Sequence, residues 1–192
     1  MHTPCCYLLG PAPLPGADAW VLDAGEAAAN VAAPGLRWLL RVRPAGTPDF
    51  EGDLERARSP GIVALMLPGV RDIGDVCALV EHCVHEVLPV IDNAQGLDHV
   101  RAIAQVPGVA RLVFDAHALQ RQLGIGDDDG LLAYRAQVVL ASRLAGLAPP
   151  VDHSRLAPER ARRLGFGACL CQGAEELAAA RAAFQPLPAR TS

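Results

Sequence analysis

The stretch Val87-Leu88-Pro89-Val90-Ile91-Asp92-Asn93-Ala94-Gln95-Gly96, VLPVIDNAQG, decides how the chain is read. It is a short apolar run bounded by turn residues, which is the pattern of a strand covered on both faces. The run stops at an acid. A parallel barrel collects its chemistry at the C-terminal ends of its strands, so Asp92 is the first candidate for function.

Seven further runs of this kind lie outward from it: Cys5–Leu9, Trp20–Asp23, Trp38–Val42, Ile62–Leu67, Arg111–Asp115, Leu147–Val151 and Ala168–Cys171. With Leu88–Asp92 they make eight strands. Helical periodicity fills several of the gaps. Asp72 to Val87 places Val76, Leu79, Val80, Cys83, Val84 and Val87 on one stripe. Gly130 to Gly146 does the same with Leu131, Leu132, Ala136, Val139, Leu140 and Leu144, and Gly146 suits the helix end. Glu159–Leu164 and Glu175–Phe184 are the last two helices. Strand–helix alternation means α/β, and eight strands mean a compact (β/α)8 TIM barrel, at the short end for that fold. The economy falls at the front. Gly10 to Gly16 is too rich in proline for a helix, and Gly25–Leu36 has room for only a short one, so the first helix is missing or shortened. We expect one barrel domain over residues 1–185 and a flexible tail over 186–192.

Composition narrows the chemistry. Half the chain is hydrophobic (51%) but only 4% is aromatic, so the core is aliphatic. The net charge is −4 and the basic residues are scattered, which argues against a nucleic-acid partner. All 17 basic residues are arginine. Without lysine there is no Schiff base, no pyridoxal anchor and no P-loop amine. A carbon–carbon lyase built from this chain takes up enolate charge with a metal or with arginine. Cys5, Cys6, Cys77, Cys83, Cys169 and Cys171 lack zinc-site spacing and read as small core residues in a reducing compartment, with Cys169 and Cys171 on one strand face as the single redox candidate. No signal peptide and no membrane-length apolar run are read, so a cytoplasmic protein is expected.

The ordered segments resemble a known family. Ala17 to Asp23 (ADAWVLD) is similar to GADAVILDLEDAV, Leu40 to Pro44 (LRVRP) to LVRVNP, and Met66 to Val70 (MLPGV) to MLPKVE. Leu88 to Gly96 resembles LPLIETARG, Leu112 to Leu119 (LVFDAHAL) resembles LVFGAEDL, Tyr134 to Arg143 resembles YARSRVVLAARAAG, and Leu164 to Gly167 resembles LGFDGK. These are motifs of the citrate lyase beta-subunit-like group of the HpcH/HpaI aldolase family. The resemblance, over roughly residues 17–184, implies a TIM barrel, a homo-oligomer with a trimer favoured, and Mg²⁺-dependent chemistry on a small 3-hydroxy or oxo acid or its CoA thioester.

The resemblance also implies site residues. Asp92 stands where the family's metal glutamate stands, one methylene shorter. The second metal aspartate falls on Ala118, the preceding glutamate on His117 and the glycine on Asp115. Asp115 ends the strand next to that of Asp92, which makes it a candidate substitute second metal ligand, against the plain reading of two solvated acids at strand ends. Arg41 keeps the family's arginine and would hold a substrate oxygen; Asp23 and Pro68, at the ends of their strands, join it as substrate-binding candidates. Gly69, Arg71, Gly25, Glu26 and Arg43 replace other family residues. His117 and His153 follow the sixth and seventh strands and are candidate bases, against the plain reading of solvated loop histidines. His82 and His85, with Glu81 and Glu86, read as the wet face of a helix, and Asp127 to Asp129 as a helix-capping cluster. Two functions follow: a metal-assisted C–C lyase with Arg41 and Asp92 as its catalytic residues, or a barrel that has lost catalysis and serves as a ligand-binding or assembly subunit.

Overall fold

The structure is a computed structural model, and it describes residues 6–10, 14–25, 36–44 and 46–184. Eight parallel strands close into a barrel in sequence order. They are β1 (Cys6–Leu9), β2 (Ala19–Asp23), β3 (Trp38–Arg41), β4 (Ile62–Leu67), β5 (Glu86–Ile91), β6 (Val113–Asp115), β7 (Val151–His153) and β8 (Ala168–Cys171). Helices α1 (Phe50–Ala57), α2 (Ile73–Val80), α3 (Ala94–Asp98), α4 (Val100–Ala104), α5 (Ala116–Leu123), α6 (Leu132–Leu144), α7 (Pro158–Arg163) and α8 (Ala174–Phe184) lie in the connections. The expected (β/α)8 barrel is therefore present. The expected short first helix falls mostly on 26–35, and the tail on 186–192; both lie outside the described residues, as does Cys5. No helix among the described residues is long and apolar enough to cross a membrane.

Successive side chains of a strand point to opposite faces, and the two cores obey that rule. Tyr7, Val21, Leu39, Met66, Leu88, Val90, Val113, Val151 and Leu170 pack inside the barrel. Their neighbours Leu8, Leu22, Leu40, Leu65, Val87, Ile91 and Phe114 pack outward under the helices. Continuous apolar runs are what a strand buried on both faces requires.

Two expected elements move, each for a backbone reason. The seventh strand begins at Val151, not Leu147, because Pro149 and Pro150 have no N–H for the ladder. The helix expected over Asp72–Val87 ends at Val80, and the chain is already β5 from Glu86. Val84, assigned to the buried stripe, is 99% exposed. His82, His85, Glu81 and Glu86 thus do not share a helix face. Strand chemistry claimed the apolar residues from Val87 onward, and a period of 3.6 cannot separate a helix from a strand that directly follows it. Asp127 Oδ1 accepts from the Gly130 N–H at 2.9 Å and so ties the turn before α6, but Leu131 is the N-cap of α6 and neither it nor Asp128 makes a side-chain cap, so the acidic cluster does not cap α6 itself. Gly146 follows α6 with φ +70, the left-handed conformation of a helix end.

Candidate functional site

The alternation that fills the barrel also defines its mouth. Counting two residues beyond each inward apolar side chain gives Asp23 on β2, Arg41 on β3, Pro68 after β4, Asp92 after β5, Asp115 on β6, His153 on β7 and Gln172 after β8. All lie at the C-terminal ends of their strands, where such barrels carry function. Two cross-strand pairs form because their partners are in register. Asp23 faces Arg41, with Nη1 and Oδ1 3.5 Å apart. Asp115 faces His153, with Nδ1 and Oδ2 3.2 Å apart.

A cavity of about 460 Å³ opens at this end, lined by Arg41, Asp115, His117, Arg121, His153 and Arg155 among others. Three guanidinium groups face two carboxylates, Asp115 and Glu176. His117 meets His153 edge-on, with ring centroids 5.3 Å apart. This brings together Arg41, Asp115 and both candidate histidines. Asp23, Pro68 and Asp92 do not line this cavity. Arg121, Arg155, Gln172 and Glu176 were not foreseen. Gln172 was within reach of the alternation rule; Arg121 depends on the rotation of α5 and Arg155 on a loop, which no strand pattern encodes.

Asp115 is only 8% exposed and is fixed from two sides. One oxygen accepts from His153, and Oδ1 accepts from the Ala118 N–H at 3.0 Å, capping α5. Burial pushes its carboxyl up, but the His153 and Ala118 hydrogen bonds and the nearby histidines outweigh that and hold it below the ordinary 3.8. His117 is lowered from 6.5, first by burial and then by the neighbouring His153.

Asp92 is engaged differently. Its Oδ2 accepts from the Gly69 N–H and its Oδ1 from Asn93 Nδ2, each at 2.8 Å. Asn93 in turn caps α3 through Gly96 N–H and donates to the Val70 carbonyl. Asp92 therefore clasps the loop after β4 to the start of α3. Burial raises its carboxyl above 3.8, partly opposed by those donors, and the Asp115 charge adds to the rise.

These donors do not fit Mg²⁺ as they are placed. The ion wants near-octahedral oxygen geometry from one or two carboxylates. Asp92 is turned to the Gly69 N–H and Asn93 with one hydrogen bond on each oxygen and does not line the cavity, Asp115 is paired with His153, and Ala118 offers no side-chain oxygen. Among the described residues no three His, Cys, Asp or Glu side chains gather to hold a metal. Arg43, where the resemblance sets an asparagine, turns to Asp53 of α1, with Nη2 and Oδ1 2.5 Å apart. Cys169 and Cys171 are buried in the apolar layer under the helices.

Behind the mouth, α6 contributes Arg135, fully buried. It donates to Asp128 at 2.6 Å and to Asp152 at 3.3 Å, and its guanidinium lies 5.1 Å from the Phe114 ring centroid. Asp152 also accepts from the Ser154 hydroxyl. This network holds the strand end that carries His153.

No family model matches the sequence, and no curated protein matches it. Solved structures do. RipC from Yersinia pestis aligns with a TM-score of 0.83 at 20% identity, over 98% of this chain and 98% of its own. The citrate lyase beta subunit from Mycobacterium tuberculosis aligns at 0.81 and 20%, over 95% and 97%. CitE from the same organism, in complex with magnesium, acetoacetate and coenzyme A, aligns at 0.78 and 19%, over 96% and 82%. At these identities the likeness is one of fold, and it agrees with the order of motifs along the sequence: the chain has the (β/α)8 barrel of the citrate lyase beta subunit and of RipC.

Proposed function

We propose that the barrel mouth binds a small 3-hydroxy or oxo acid, free or as a thioester, and cleaves or forms a carbon–carbon bond in it. The observation that supports this is Arg41, projecting into a cavity of about 460 Å³ whose lining also holds Asp115 and His153. A guanidinium matches the fork of a carboxylate or an enolate oxygen, and such charge-assisted bonds are the strong ones. The comparison points the same way, since structures of this fold hold oxaloacetate or acetoacetate with magnesium. Mg²⁺ assistance is carried by the resemblance, whereas the donors above leave charge stabilisation to arginine. A homo-oligomer, trimeric by resemblance, belongs to the same proposal and is checked by sedimentation.

The second reading, a barrel without catalysis that serves as a ligand-binding or assembly subunit, is favoured by Ala118, which stands where the resemblance expects a metal ligand. A panel of 3-hydroxy acids and their CoA thioesters, assayed for release of a carbonyl product, separates them. Turnover that falls at least about tenfold in kcat/KM with Arg41→Ala supports the lyase. Binding of oxaloacetate without turnover of any panel member supports the second reading.

A further inference from the structure

Resting on the lyase reading, we propose that His153, held by Asp115, carries the proton in that reaction, and that Asp115 serves as its positioning residue and not as a metal ligand. The two residues are opposite one another on neighbouring strands, so their side chains share the mouth. The Asp115 carboxylate accepts from His153 Nδ1–H across 3.2 Å. That bond favours the Nδ1–H tautomer, in which Nε2 is an acceptor. Gln172 Nε2 sits 3.3 Å from His153 Nε2, within reach to donate to it in that tautomer. Gln172 is exposed, so a substrate hydroxyl can take its place.

The imidazole is also packed against a second ring. Its side chain is 13% exposed, and the His117 ring lies edge-on to it at 85°. Asp115 cannot swing away, because its other oxygen caps α5 through Ala118 N–H. A base oriented by a carboxylate that is itself fixed is the arrangement general acid–base catalysis needs. The charged groups around it are Arg41 from β3, Arg121 from α5, Arg155 from the loop after β7 and Glu176 from α8.

In the cleavage direction, Nε2 takes the proton of the substrate's 3-hydroxyl. The C2–C3 bond breaks as C3 and its oxygen become a carbonyl. The electron pair passes to C2 as an enolate whose oxygen faces Arg41. The proton on Nε2 then returns to C2, so the histidine ends as it began and no oxidant or metal enters the balance.

The test uses the full chain, labelled with ¹⁵N-histidine, with signals assigned through His153→Gln. His153 is expected as the Nδ1–H tautomer, with an Nε2 resonance that moves when oxaloacetate is added; Asp115→Ala is expected to scramble the tautomer. On the panel substrate with the best turnover, His153→Gln is expected to lose about 10²- to 10⁴-fold in kcat with KM nearly unchanged. His153→Gly is expected to recover part of that loss with added imidazole, which a purely structural role would not give. An Nε2–H tautomer, or an unchanged kcat in His153→Gln, overturns this assignment while leaving the lyase reading standing. Absence of oxaloacetate binding and of turnover in the parent chain overturns both.

Discussion

At the residue scale, Asp92 and Asp115 are neighbouring acids pushed in opposite directions. Asp92 is raised chiefly by burial, so its favourable contribution is complete below the ordinary 3.8 and is lost as pH rises through the folded value. Asp115 is depressed, so its contribution is present above 3.8 and is lost as pH falls through the folded value. Asp92→Asn is therefore expected to gain stability relative to the parent on going from about pH 4 to about pH 7, and Asp115→Asn to lose it on going from about pH 2 to about pH 4. Urea midpoints across each window measure both, and the opposite sign of change in either variant would contradict the assignment. The positions of these acids were legible in the sequence, because each follows an inward residue by two. Their partners were not. The Gly69 N–H that holds Asp92 comes from a loop 23 residues away in the chain, and the His153 that holds Asp115 is fixed by strand register.

At the scale of elements, the joints between strand and helix carry specific costs. A Cβ on Gly96 would sit 2.4 Å from the Val70 carbonyl oxygen, a backbone atom with little freedom to retreat. Gly96→Ala is expected to cost about 1–3 kcal/mol in chemical denaturation, as α3 is pushed off the β4 loop. The α6–β7 joint rests on Arg135. Removing it in Arg135→Leu strands the buried Asp152 carboxylate and is expected to cost about 3–5 kcal/mol. Adding Asp152→Asn should return part of that loss, so the double-mutant cycle is non-additive; simple additivity would mean that the pair is not coupled. The helix Gly130–Gly146 was readable in the sequence because a long apolar stripe ends at a glycine. The end of α2 was not, because the stripe ran straight into β5. The start of β7 was encoded by Pro149 and Pro150, residues whose effect is stronger than the apolar character of Leu147.

At the scale of the whole molecule, one rule links fold and site. Period-two strands that are buried on both faces fill the barrel, and the first polar residue after each inward apolar one reaches the mouth. The rule puts Arg41, Asp115 and His153 around one cavity without any of them being near another in sequence. The resemblance carried by the motifs pointed to the same barrel, but not to how this chain fills the mouth, where Ala118 stands at the position the resemblance gives to a metal ligand and Asp115 at the position it gives to a glycine. The central claim is that this mouth takes a small acid through Arg41, with arginine where the resemblance expects a metal. The most direct measurement is calorimetric titration of oxaloacetate into the parent chain and into Arg41→Ala, with divalent ions chelated. The account predicts saturable binding to the parent and at least about a tenfold loss of affinity in the variant. Equal binding by both proteins, or binding to the parent only after Mg²⁺ is restored, would contradict it.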